Sequence, residues 1–246
     1  MARDFATFAA LHVPGDPIVL YNIWDPGSAL AVAAAGAKAL ATGSHPVGDA
    51  SGYGDAHKVP LPYVFDNARR ILAAVDLPLS VDFEGAYATD PGEAAANVAA
   101  LKDTGAVGCN FEDQMVGGEG VHPVEAQVAR IRAIRTAVGD DFFLNARTDL
   151  MIKEQDDGGL IERVIARGKA YADAGASGFF VPRIADPKDI ERVVREVPLP
   201  LNAIAFPGAP DKRVWAEAGV ARISHGPFPH KALMAQLTEM AREAIA

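Results

Sequence analysis

Eight short apolar, β-prone runs recur along this chain, and each is followed by a segment of helical period. Repeated βα units produce that alternation, and it points to a parallel sheet. The runs predict strands over 18–22, 37–42, 79–83, 107–112, 142–146, 178–181, 201–204 and 221–224. Helices are predicted near 27–35, 62–75, 91–104, 123–138, 157–174, 187–196, 211–218 and 229–245. Asp90-Pro91, His122-Pro123 and Asp186-Pro187 each set a proline in a first helical turn. Eight units in 246 residues predict one α/β domain over 1–246, a (β/α)8 barrel of the TIM type. A doubly wound open sheet is the alternative; no G-x-G-x-x-G follows the first strand, which weakens its dinucleotide-binding form. In a barrel, chemistry is expected where the strands end.

Charge and cysteine content narrow the partners. Lys and Arg number 23 against 32 Asp and Glu, a net charge of −9 with no basic run. Phosphate backbones attract positive charge, so no nucleic acid is expected. The charge-free stretch 26–37 is short and broken by glycine, and Arg3-Asp4 leads into no long apolar run. Neither a membrane span nor a secretory signal is expected. The one cysteine, Cys109, has no partner for an internal disulfide, which suits a reducing cytoplasm.

Polar residues gather at the predicted strand ends. Alternation along the third strand gives Asp82 and Glu84 one direction, and along the fourth it groups Asn110 with Glu112 and Cys109 with Phe111. Three carboxylates, Asp82, Glu84 and Glu112, are thus expected at one mouth, where a divalent cation would offset their repulsion. Mg²⁺ suits a site of few direct carboxylates completed by water. Solvated loop acids or helix caps are the plainer reading. Arg147, closing the fifth strand, could grip a substrate carboxylate through two parallel hydrogen bonds, or pair with one of those acids. The turn Thr42-Gly43-Ser44 offers backbone N–H groups to an anion, although glycine and serine are ordinary turn residues. The six histidines show no zinc spacing. His122 reads as a neighbour of a helix cap, and Cys109 as barrel-to-helix packing.

These segments stand in a familiar order. Tyr21-Asn22-Ile23-Trp24-Asp25, Thr42-Gly43-Ser44, Gly52-Tyr53-Gly54-Asp55, Val81-Asp82-Phe83-Glu84-Gly85, Asn110-Phe111-Glu112-Asp113-Gln114 and Ala146-Arg147-Thr148-Asp149 resemble the isocitrate lyase/phosphoenolpyruvate mutase superfamily, over roughly 5–233. The resemblance implies a barrel enzyme that binds Mg²⁺ and a 2-oxo acid or an enolate derived from one. It makes Asp82 the direct metal ligand, with Glu84 and Glu112 acting mainly through metal-bound water and Asp55 touching the metal shell. It assigns Thr42, Gly43, Ser44 and Arg147 to substrate binding and places Tyr21 and Asn202 at strand ends facing the site. It also implies a homo-oligomer, dimer or tetramer, in which the helix over 229–245 packs on or swaps into a neighbour.

Three departures select among the activities. The loop Met115–His122 lacks the Lys-(Lys/Arg)-Cys-Gly-His segment of isocitrate and methylisocitrate lyases. Pro182-Arg183 stands where those lyases carry a glutamate after the proline, and Arg183 becomes a candidate partner for a distal carboxylate. The Pro-Lys-x-Asn of mutases and phosphonopyruvate hydrolases is missing too. The resulting expectation is a Mg²⁺-dependent carbon–carbon lyase, a decarboxylase for example, acting on a 2-oxo acid or small hydroxy-carboxylate. Phosphorus–carbon chemistry and a non-catalytic 2-oxo acid binder are the alternatives. The glycine-rich loop Met115–His122 is expected to be a mobile gate.

Overall fold

The computed structural model describes residues 3–116 and 118–246. The chain opens with α1 (Phe5–Ala10), capped by Asp4, whose side chain accepts from the Thr7 N–H at 2.8 Å. There follow β1 (Ile18–Leu20), α2 (Pro26–Ala34), β2 (Leu40–Ala41), α3 (Ser44–Ser51), α4 (Leu61–Ala74), β3 (Leu79–Asp82), α5 (Pro91–Lys102), β4 (Gly108–Glu112) and α6 (Val124–Val138). The second half contains β5 (Phe143–Arg147), α7 (Leu150–Lys153), α8 (Leu160–Asp173), β6 (Gly178–Phe180), α9 (Pro187–Glu196), β7 (Leu201–Ile204), α10 (Lys212–Glu217), β8 (Arg222–Ser224) and α11 (Phe228–Ile245).

All the strand pairs are parallel, in the order β1-β8-β7-β6-β5-β4-β3-β2. The ring closes just past β1, where the Ile23 N–H donates to Ala41 O at 2.9 Å and Ile23 O accepts from the Gly43 N–H at 3.1 Å. The architecture is the predicted (β/α)8 barrel and not the open sheet. The main core lies between barrel and helices: Val81, Cys109, Phe111 and Leu144 face Ile71, Val98, Ile131 and Val164. Cys109 is the packing residue its parity implied, and burial pushes its thiol pKa up. A smaller inward cluster of Ile18, Leu20, Ala39, Ala41, Val107 and Phe143 fills one end, and Phe8 of α1 plugs it. Burying that ring contributes about 2 kcal/mol.

Above this plug the interior turns polar. Asn145 Nδ2 donates to Asn110 Oδ1 at 2.8 Å and to Asn202 Oδ1 at 3.0 Å, and Arg222 donates to Asn110 Oδ1 at 3.0 Å. Three helices lie outside the expected set: α1, α3 and α7. α3 reads as a loop because Gly43, Pro46, Gly48 and Gly52 punctuate it. It forms because a carboxylate from another strand, Asp82, satisfies its first free N–H.

Candidate active site

A cavity of about 720 Å³ opens over the C-terminal strand ends. Asp82 is its best-positioned carboxylate. Oδ2 accepts the Ser44 N–H at 2.9 Å and the Ser44 hydroxyl at 2.8 Å, and Oδ1 accepts from Asn110 Nδ2 at 3.2 Å. The Asp82 N–H donates to Thr42 Oγ1 at 3.0 Å. The Thr42-Gly43-Ser44 turn, expected to cradle a substrate anion, therefore holds the protein's own acid. Gly43 is required there, since a Cβ would stand 2.8 Å from Pro46 Cγ.

Glu84 does not follow Asp82 into the cavity. The strand ends at Asp82 and Glu84 adopts a left-handed φ of 50°, so the alternation that grouped the two residues stops between them. Its Oε2 accepts from the His57 N–H at 2.8 Å, and its Oε1 accepts from the Tyr87 hydroxyl at 3.4 Å. Burial raises its pKa to about 7, with Asp55 and Asp82 adding to the rise. Left-handed φ values recur at Ala56, His57, Ala86 and Tyr87, so both loops framing Glu84 hold strained backbone.

Arg147 enters the cavity from the end of β5, with its guanidinium 5.5 Å from the Phe180 ring centroid. NH1 lies 3.0 Å from Glu112 Oε2, and Nε donates to Asp149 Oδ1 at 2.8 Å. The ion-pair reading of Arg147 is thus realised, and among the described residues NH2 makes no hydrogen bond to the protein. Burial alone would weaken its charge, but Glu112, Asp149 and Asp82 outweigh that and keep it protonated. Burial raises the pKa of Glu112, with Asp149, Asp82 and Glu84 adding and Arg147 opposing. Glu112 lies buried at Arg147's side and does not line the cavity.

Asp55 lines the cavity with its side chain 44% exposed, and its Oδ2 is 3.4 Å from His45 Nδ1. Arg183 lines it at the rim, exposed, with φ 67°. Two expected residues are elsewhere. Tyr21 is 46% exposed and packs on His225 outside the cavity, because Leu20 and Asn22 take the inward positions on either side. Asn202 is fully buried in the polar interior, donating to Ala203 O at 2.6 Å and Ser224 Oγ at 3.1 Å.

The sequence reading missed Asn22, which lines the cavity and ties three strand ends together. Its Oδ1 accepts from the N–H groups of His225 and Gly226 at 2.8 and 2.7 Å, and its Nδ2 donates to Thr42 O at 2.8 Å. Its parity with Ile18 and Leu20 was the available signal. It also missed Asp113, whose carboxylate accepts from the Asp149 N–H at 2.8 Å, the Tyr171 hydroxyl at 2.7 Å and Arg167 NH1 at 3.1 Å. Asp149 in turn bonds Arg147, so this buried set anchors the arginine from behind. The expected gate includes Gly117, which lies outside the described residues. Its flanks pair through Gln114 and Val121, and Val116 and His122 line a separate cavity of about 390 Å³ rather than the mouth.

Among the described residues no three His, Cys, Asp or Glu side chains stand together as a metal cage. What converges is Asp82 and Asp55 on the cavity, with Glu84 and Glu112 behind them. That donor set fits a Mg²⁺ ion held by one or two carboxylates and water.

The profile of the family described as phosphoenolpyruvate phosphomutase matches residues 8–245. An uncharacterized protein of Mycobacterium tuberculosis (strain ATCC 25618 / H37Rv) is 36% identical over 231 residues, 92% of this chain and 84% of that protein. The "Probable 2-methylisocitrate lyase 2" of Corynebacterium glutamicum is 34% identical over 151 residues, 58% of this chain and 47% of its own length. Among solved structures, "a putative phosphonomutase from Burkholderia cenocepacia J2315" superposes with TM-score 0.94 at 40% identity, covering 98% of this chain and 99% of that one. A phosphonopyruvate hydrolase in complex with oxalate and Mg²⁺ shares the fold at TM-score 0.85 and 22% identity, covering 98% of this chain and 87% of that one.

Proposed function

The chain belongs to the phosphoenolpyruvate phosphomutase family, within the isocitrate lyase/phosphoenolpyruvate mutase superfamily of enzymes, and from that premise we propose that it is a Mg²⁺-dependent lyase cleaving a carbon–carbon bond in a 2-oxo acid or small hydroxy-carboxylate. One observation carries the reading: Asp82, held rigidly by Ser44 and Asn110, shares a cavity with Arg147, whose NH2 is unspent. Asp82 would hold the cation, with Asp55 reaching it through water. When bound, Mg²⁺ would act as a Lewis acid toward the 2-oxo group. Arg147 would orient the substrate carboxylate through NH2, its plane fixed by Glu112 and Asp149. A fixed plane costs no reorganisation when charge develops on the substrate. The buried Cys109 suits the cytoplasm, which we take as its compartment.

The likeness to the Burkholderia protein described as a phosphonomutase favours a second reading, phosphorus–carbon chemistry. A transferring phosphoryl group needs cations around it, and the arginines lining this cavity are the paired Arg147 and the rim Arg183. Incubation with a panel of 2-oxo acids, 2-hydroxy acids and phosphonopyruvate, with and without Mg²⁺, followed by mass spectrometry, separates the readings. Cleavage of a carbon skeleton only with Mg²⁺ supports the lyase; turnover of phosphonopyruvate alone rejects it. Mg²⁺-dependent binding without any turnover would mark a 2-oxo acid binder.

A further inference from the structure

The cavity has two unlike halves. The start of α3 contributes Ser44, and β3, β4 and β5 contribute Asp82, Asn110 and Arg147, with Asp55 from the loop after α3. Opposite them, β6 contributes Phe180, β7 and the loop after it Ile204 and Phe206, and the start of α11 Phe228, joined by Ile152 of α7. Ile204, Phe206 and Phe228 are only half-buried, and Ile152 is 39% exposed. Arg183 is the charged residue on this side, and it stands exposed at the rim. The volume of about 720 Å³ is ample for a drug-sized ligand and far more than a three- or four-carbon acid occupies.

A substrate anchored by its carboxylate at Arg147 and its oxo or hydroxy oxygen toward Asp82 would extend its remaining chain across this apolar wall. We propose that the wall selects the substrate: a 2-oxo or 2-hydroxy acid that carries, besides the groups taking part in the bond cleavage, an alkyl or aryl chain, with no acidic group held against the wall. The inference rests on the functional reading above for the carboxylate end and on the wall alone for the chain. Apolar contact removes water from Phe206, Phe228, Ile204 and Ile152, and each methylene laid against them should tighten binding about fourfold. A second carboxylate directed at the same wall would lose its hydration without a partner.

The test is calorimetric titration of the full chain with pyruvate, 2-oxobutanoate, 2-oxopentanoate, 4-methyl-2-oxopentanoate, phenylpyruvate and oxaloacetate, each with Mg²⁺ and with chelator. Affinity should climb about fourfold per methylene from pyruvate to 2-oxopentanoate, and oxaloacetate should bind more weakly than 4-methyl-2-oxopentanoate. Phe206→Asp, and independently Ile152→Asp, should flatten the climb, with melting curves checking that both variants fold. A flat series with pyruvate bound only with Mg²⁺, or oxaloacetate binding tightest, overturns the wall and leaves the functional reading standing. A climb that persists in chelator supports the wall and rejects the metal. Failure of every acid to bind removes both.

Discussion

At the scale of single residues, the cavity depends on hydrogen bonds that fix a few side chains. Asp82 both caps α3 and faces the cavity, so truncating it would strip Ser44 of its acceptor as well as remove the charge. Asp82→Asn is the cleaner change: an amide keeps an oxygen for Ser44 and loses the carboxylate a cation needs. We expect a melting temperature within a few degrees of the parent and at least a tenfold loss of Mg²⁺-dependent pyruvate affinity by calorimetry; unchanged affinity would remove Asp82 from the metal site. Arg183 makes a second case. Its exposure means a substrate anion there pairs in high dielectric, worth about 1 kcal/mol at most. Arg183→Ala should therefore weaken oxaloacetate no more than about fivefold and leave pyruvate unaltered. An equal loss for both acids would place Arg183 at the common end of the substrate.

At the scale of elements, α1 is the plug that the periodic pattern did not reveal, and it brings a titratable group with it. His12, just past α1, stacks 4.2 Å from the Phe143 ring centroid and lies 4.8 Å from that of Phe8, with Nδ1 2.9 Å from Phe8 O. Burial, reinforced by the positive Arg222, lowers its pKa to about 3. The sign follows from linkage: above pH 6.5 His12 is neutral in both folded and unfolded chains, and nothing is lost. Between pH 6.5 and about 3 the unfolded chain takes up a proton that the folded chain refuses, so stability falls as pH falls. From pH 6.5 to 5 the loss is about 2 kcal/mol. Urea unfolding should show this fall in the parent, and His12→Phe should remove that part of it; an identical pH slope in the variant would place the acid sensitivity elsewhere.

At the scale of the whole molecule, α11 and the face beside β1 are mismatched with a solitary barrel. Every residue from Lys231 to Met240 is exposed, with Leu233 at 47%, Leu237 at 55% and Met240 at 59%. Meanwhile Val19, Tyr21, Ala31, Val32 and Ala35 line an open apolar groove of about 850 Å³ along β1 and α2. An eighth helix folded back on its own barrel would cover that region. We propose that α11 of a second copy covers it, giving a homo-oligomer. Light scattering at micromolar concentration should give a multiple of 25.8 kDa, and Leu237→Glu with Met240→Glu should drive the particle toward one chain. A parent that scatters as one chain would reject the assembly.

The barrel itself was legible because its signal is local and repeated: apolar runs spaced by helical segments need no knowledge of what they pack against. The acids of Asp82, Glu84 and Glu112 were legible as types near one mouth for the same reason. Their division of labour was not. Alternation assigns a face only while the strand lasts; past it Glu84 turns left-handed, and its carboxylate meets the His57 loop arriving from another part of the chain. Arg147's ion pairs, the capping of α3 by Asp82 and the Asp113–Arg167–Tyr171 anchor each join residues from different strands, helices or loops. Spacing along the chain is enough for the barrel and for the chemical character of its mouth. Which polar groups satisfy one another and which are left to face a ligand is settled by packing in three dimensions, because hydrogen-bond partners are set by distance in space and not by spacing along the chain.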